Sequence, residues 1–93
     1  MSESERHRAR EALVQALYQW DYNPAPAPEL EMELLDEGYL EGAERGYFQE
    51  LLRRITERCG ELDGHLEPAL GKRRLSEVTA IERAILRLGA AEL

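Results

Sequence analysis

Between positions 9 and 20 the apolar residues Ala9, Ala12, Leu13, Ala16, Leu17 and Trp20 recur at intervals of three and four. That spacing lines one face of an α-helix and fits no strand, because a strand alternates every second residue. Ser2 followed by Glu5 has the spacing of a capping box, in which the two side chains satisfy free backbone N–H groups at a helix start. Nowhere does the chain show strand-like alternation or an internal repeat, so the expected fold is all-α, a compact arrangement of about four or five helices.

The remaining elements follow from breakers and apolar spacing. Pro24, Pro26 and Pro28 alternate with alanine after Tyr22-Asn23 and predict a stiff, extended loop. A short helix is expected from Pro28, since proline suits a first helical turn, and it carries Leu30, Leu34 and Leu35 to a stop near Gly38. Gly42 and Gly46 bracket a further connection. From about Glu44 the stripe Tyr47, Phe48, Leu51, Leu52, Ile55, Cys59, Leu62 and Leu66 predicts the longest helix, weakened at Gly60 and Gly64 and ended or kinked by Pro68. The basic run Lys72, Arg73 and Arg74 falls in the next turn, where solvated charge is the ordinary reading. Thr79 and Glu82 repeat the capping-box spacing at the start of a last helix. Its residues Ile81, Ala84, Ile85 and Leu88 form one stripe, with Leu86 and Leu93 on another side, so this helix is expected to need neighbours on two faces.

At 93 residues the chain is expected to be one domain, with little room for a second core. No apolar run approaches the roughly 20 residues of a membrane span. Met1 to Arg10 lack the apolar stretch of a secretory signal, so a cytoplasmic location without membrane attachment is expected. The single cysteine, Cys59, reads as helix filler. Two histidines, His7 and His65, sit in no acid/base pair, and no phosphate loop, zinc-binding spacing or nucleophile motif occurs. No enzyme, metal or cofactor is expected.

A formal net charge of −7 repels phosphate at long range, which excludes a protein that coats nucleic acid by bulk electrostatics. Contact with RNA must then be local. Arg6, His7, Arg8 and Arg10 crowd into five positions, and two readings stand: a solubilising terminus, or a grip whose guanidinium groups hold phosphates and stack on unpaired bases. Three arginines on three phosphates imply a log–log salt slope of only about −2, weak binding that a partner protein should share. Tyr18, with Val14 beside it, projects away from the Leu13–Leu17 stripe. It is either a tyrosine lying along the surface or an interface anchor, whereas Trp20 lies on the core side.

Arg8-Ala9-Arg10-Glu11 with Gln15-Ala16-Leu17-Tyr18-Gln19-Trp20 resembles the opening helix of the bacterial NusB family. Tyr47-Phe48 with Glu50-Leu51-Leu52, Leu62-Asp63 with Pro68 and Leu70, and Ile81 to Leu88 with Glu92-Leu93 follow in that family's order. The resemblance implies a transcription antitermination factor that binds the boxA element of nascent ribosomal RNA together with NusE, a ribosomal small-subunit protein, in the antitermination complex of RNA polymerase. It further implies that Arg6, Arg8 and Arg10 contact RNA, with His7 at a position often basic, and that Val14, Tyr18 and Glu82 belong to the NusE face. Family members usually continue for about another third, with helices that would cover the Leu86 and Leu93 side. A chain without them is expected to be truncated, or to bury that side by forming a homodimer. The alternative is a NusB-like interaction module, as in some ribosomal RNA cytosine methyltransferases, with no RNA binding of its own.

Overall fold

The computed structural model describes residues 3–93, so Ser2 of the first expected capping box lies outside the described residues. Five α-helices and a 3₁₀ turn make up these residues: α1 Glu3–Tyr22, α2 Ala27–Asp36, α3 Arg45–Glu57, α4 Cys59–Ala69, the turn Leu75–Glu77, and α5 Ala80–Glu92. Among the described residues there is no strand, and no helix is long and apolar enough to cross a membrane.

The central helix is α1, which buries Ala9, Ala12, Leu13, Ala16 and Leu17. Small alanines on this face let α3 and α5 approach it closely. Phe48, Leu51, Leu52 and Ile55 of α3, Leu30 and Leu34 of α2, and Ala84, Leu88 and Ala91 of α5 close one continuous core around it. At about 25 cal/mol per Å² of apolar surface removed from water, this cluster is the main stabilising term.

Helix α2 starts at Ala27, one residue earlier than the proline pattern predicts, with Pro26 extended (φ −58°, ψ 146°) at its cap. Its end is a Schellman motif. Gly38 takes φ +85°, its N–H donates to the Leu35 carbonyl at 3.2 Å, and the Tyr39 N–H reaches the Leu34 carbonyl at 3.0 Å. Leu35, expected to share the buried stripe, is 47% exposed. The cap of α3 is Glu44, whose carboxylate accepts from the N–H groups of Gly46 and Tyr47. Its own N–H donates to the Glu5 carbonyl at 3.0 Å, which ties the entry of α3 to the first turns of α1.

Two expectations are corrected. The single long helix from Glu44 to Leu66 is two helices, and α1 is the longest. The break is at Arg58 (φ −117°, ψ 27°), two residues before Gly60 and two after Thr56, whose hydroxyl donates to the Leu52 carbonyl at 2.8 Å. Such back-bonding loosens and bends a helix, and glycine weakens the turn that follows. The buried face of α5 is Ala84, Arg87, Leu88 and Ala91, while Ile81 and Ile85 are 42% and 53% exposed and Leu86 is half-buried. The helix is rotated because Arg83 and Arg87 turn inward to carboxylates.

Those carboxylates are Asp21 at the end of α1 and Asp63 in α4. Arg83 forks onto Asp21 at 2.7 and 3.2 Å and donates to the carbonyls of Leu75 and Val78 at 2.9 and 3.0 Å. Arg87 forks onto Asp63 at 2.9 Å through both Nε and Nη2, reaches Asp21 at 3.4 Å, and lies 5.8 Å from the Trp20 ring. Bidentate geometry of this kind fixes orientation as well as energy. The Arg83 guanidinium, by hydrogen bonding and charge, holds the Asp21 carboxyl below the usual carboxylate range in spite of partial burial. A depressed folded-state pKa gives stability that is complete above the unfolded value of ~3.9 and is lost as pH falls through the lower folded value. Asp21→Asn should therefore flatten the acid limb of the stability profile. Thermal melts of the two proteins between neutral pH and about pH 3 should converge on acidification, and parallel curves would contradict this.

Candidate nucleic-acid interface

The first turns of α1 carry the basic residues, and the helix sorts them by direction. Arg6 and Arg10, one turn apart, lie on one flank and share the Tyr47 ring of α3, with guanidinium carbons 4.5 and 6.0 Å from its centroid. His7 stands on the exposed crest, its Nε2 3.2 Å from Glu11. Glu3, Ser4, Arg6, His7 and Arg10 line a shallow depression of about 590 Å³. Arg8 points to the other flank, where its Nη1 approaches the Glu41 carbonyl at 3.5 Å and its stem runs beside Gly42. The structure thus brings Arg6, His7 and Arg10 together and sets Arg8 across the crest from them.

The cluster is not without internal partners. Arg10 Nε donates to Glu92 Oε2 of α5 at 2.6 Å, and the Tyr47 hydroxyl donates to the same oxygen. The Glu92 bond raises the Arg10 pKa further. Partial burial resists the Glu92 charge, but the Tyr47 hydroxyl and the Arg10 guanidinium outweigh it and hold that carboxyl below its usual range. Burial, followed by the hydrogen bond to Glu92, pushes the Tyr47 phenol up. Tyr47 and Glu92 are functional candidates that the sequence reading passed over. Tyr47 counted only in an apolar stripe and in the family resemblance, and Glu92 only in that resemblance.

Arg10–Glu92 near one end and Asp21–Arg83 near the other fix α1 and α5 as antiparallel neighbours. Between those two bonds α1 carries Val14 and Tyr18. Val14 is half-buried at the edge of the core. Tyr18 is also half-buried and makes an edge-to-face contact with the exposed Tyr22, centroids 5.1 Å apart; hydrogen bonding to Tyr22 raises its pKa. Glu82 is exposed in the first turn of α5, where its N–H donates to the Thr79 hydroxyl at 3.1 Å, the cap that the Thr79–Glu82 spacing predicts. Ile81 and Ile85 expose apolar surface on the same helix.

A family model, described as the NusB family, matches residues 7–93. The chain belongs to the NusB family. Its relatives in that family include the transcription antitermination protein NusB of Pseudoalteromonas atlantica, 38% identical over the whole chain, and that of Shewanella amazonensis, 41% identical over the same span. The NusB of Halorhodospira halophila is 47% identical over 95% of the chain. The chain spans 66%, 69% and 56% of the lengths of these NusB proteins, respectively. No solved structure matches. The family model takes in α1 from His7 onward and all of α2 to α5, the two whole-chain relatives also align over Arg6, and both place this chain among proteins named for transcription antitermination.

The remaining basic run, Lys72 to Arg74, is exposed between α4 and the 3₁₀ turn, with Arg73 4.0 Å from Glu82. A cleft of about 610 Å³ beside Trp20, Pro26 and Leu52 is rimmed by Glu31, Arg53 and Glu57. Among the described residues no group of three His, Cys, Asp or Glu side chains is arranged to hold a metal ion. Cys59 lies 3.6 Å from Asp63, and burial pushes its thiol up, away from the nucleophilic thiolate.

Proposed function

We propose that this protein is a non-catalytic, cytoplasmic RNA-binding antitermination factor that grips boxA-type ribosomal leader RNA at the first turns of α1 and shares it with NusE in the antitermination complex of RNA polymerase. The observation that carries this reading is the grouping of Arg6, His7 and Arg10 in one depression at the tip of a chain whose net charge is −7. A net acidic body repels phosphate at long range, so a local basic spot of this kind guides a strand to one place and one orientation. Arg8, across the crest, suits the next phosphate of a strand passing over α1. Three guanidinium contacts give a salt slope of about −2 for a single strand. That modest grip is the reason a second protein is needed. Membership of the NusB family supports the same reading.

The NusE face on this reading is the outer side of the α1–α5 pair, with Val14 and Tyr18 on one helix and Glu82 on the other. Exposed Ile81 and Ile85 add apolar surface of the sort that interface cores use. Residues 1–93 then act as one domain that carries both surfaces.

Titration of a labelled boxA-type RNA of about ten nucleotides, with and without NusE, tests the proposal. Binding should be salt-sensitive and tightened by NusE. Tyr18→Asp should weaken NusE binding by about thirtyfold, as the loss of an aromatic anchor does, with the helical circular dichroism unchanged. Unaltered NusE affinity would return Tyr18 to ordinary surface. RNA binding absent at every salt concentration, with NusE binding intact, would favour a pure protein-interaction module.

A further inference from the structure

Glu92 of α5 sits where Arg10 of α1 and Tyr47 of α3 converge. Its Oε2 accepts from Arg10 Nε at 2.6 Å and from the Tyr47 hydroxyl. Arg6 stacks over the same Tyr47 ring at 4.5 Å, and its Nε is buried with no hydrogen-bond partner among the described residues. Arg54 borders the same cavity, which has a volume of about 260 Å³; its Nη2 pairs with Glu50 at 2.8 Å and its Nη1 points to the Ala91 carbonyl at 3.5 Å. Three guanidinium groups converge there on two carboxylates, which leaves positive charge unmatched in an acidic protein. A guanidinium and a phenol meeting on one anionic oxygen, with a third donor idle beside them, is the donor set that a phosphate oxygen takes.

We infer that Glu92 is an internal stand-in for phosphate, displaced when RNA binds, and that Tyr47 is a further RNA-contacting residue. This rests on the RNA-binding reading above. In the free protein Glu92 keeps Arg10 and Tyr47 oriented and their seat filled. When a strand arrives, a phosphate takes the Arg10 and Tyr47 donors and the idle Nε of Arg6, and Glu92 turns out to solvent. The exchange sets specificity against weak anions, because a competitor must outbid a carboxylate that is already in place. It also alters the salt dependence. The phosphate seated on Arg10 releases a counterion while the freed Glu92 takes one up, so this contact adds almost nothing, and the native slope drops from the about −2 of three unopposed contacts to about −1.4.

Glu92→Gln removes the competing charge and keeps the shape. It should bind the same boxA-type RNA about three- to fivefold more tightly, the range that an exposed ion pair contributes, and its salt slope should steepen by ~0.7, one single-strand phosphate. Tyr47→Phe keeps the ring under Arg6 and removes the phenol donor, so it should bind about threefold more weakly. Circular dichroism and melting curves accompany both variants. If Glu92→Gln melts below the assay temperature, Tyr47→Phe carries the test: weaker binding supports the inference and unchanged binding overturns it. Equal or weaker RNA binding by a folded Glu92→Gln, with an unchanged slope, means that Glu92 is only a clamp between helices. If Arg6→Ala/Arg8→Ala/Arg10→Ala still loses affinity in that case, this inference fails alone; if the triple variant binds as the native protein does, the RNA-binding reading fails with it.

Discussion

Arg87→Ala should destabilise the protein by about 3 kcal/mol, the lower end of what removing one partner of a buried ion pair costs. Its side chain is only 10% exposed and is shared between Asp63 and Asp21, so alanine strands the Asp63 carboxylate and takes away the Trp20 contact. The lower end of the range applies because Asp21 keeps the Arg83 fork and Asp63 retains some access to water, at 27% exposure. For a domain of this size each kcal/mol moves the midpoint by roughly 4–8 °C, so the variant should melt at least ~12 °C lower. Arg53→Ala is the matched control, since its pair with Glu57 is 60% exposed on both sides and contributes under about 0.5 kcal/mol. Thermal unfolding followed by circular dichroism distinguishes the two. A shift at Arg87 no larger than at Arg53 would mean that the inward arginines are not structural.

The same network explains where sequence reasoning reached and where it stopped. Helix α1 was legible because its core face is alanine and leucine at helical spacing and nothing competes with that signal. The proline loop, the Gly38 stop and the Thr79 cap were legible because each rests on local backbone chemistry. The face of α5 was not, because apolar spacing assigns Ile81 and Ile85 to the core and treats Arg83 and Arg87 as solvated. Only tertiary context reverses this: Asp21 and Asp63 arrive from two other helices and make burial of the arginines favourable. An arginine pair one turn apart within an apolar stripe, with aspartates ending or interrupting other stripes, was the available clue. The break at Arg58 was hidden for a related reason, since the stripe from Tyr47 to Leu66 keeps its period across a joint that only re-aims α4. The binding surface was half legible. Composition isolates the basic turns of α1, but no local pattern links Arg10 to Tyr47 across 37 positions or to Glu92 across 82.

The second large effect concerns RNA. Arg6→Ala/Arg8→Ala/Arg10→Ala should reduce affinity for a boxA-type single strand by about a hundredfold, at roughly fivefold for each exposed arginine–phosphate contact. Since Arg6 and Arg10 share a flank and Arg8 lies across the crest, the Arg6→Ala/Arg10→Ala pair should account for more of the loss than Arg8→Ala alone. None of the three side chains is needed to fill the core, so the variant should keep its helical content. An RNA titration of this triple variant across a salt series, beside the native protein, tests the assignment of α1 most directly. The account predicts that affinity collapses and that the salt slope flattens toward zero; native affinity and slope in a folded triple variant would contradict it.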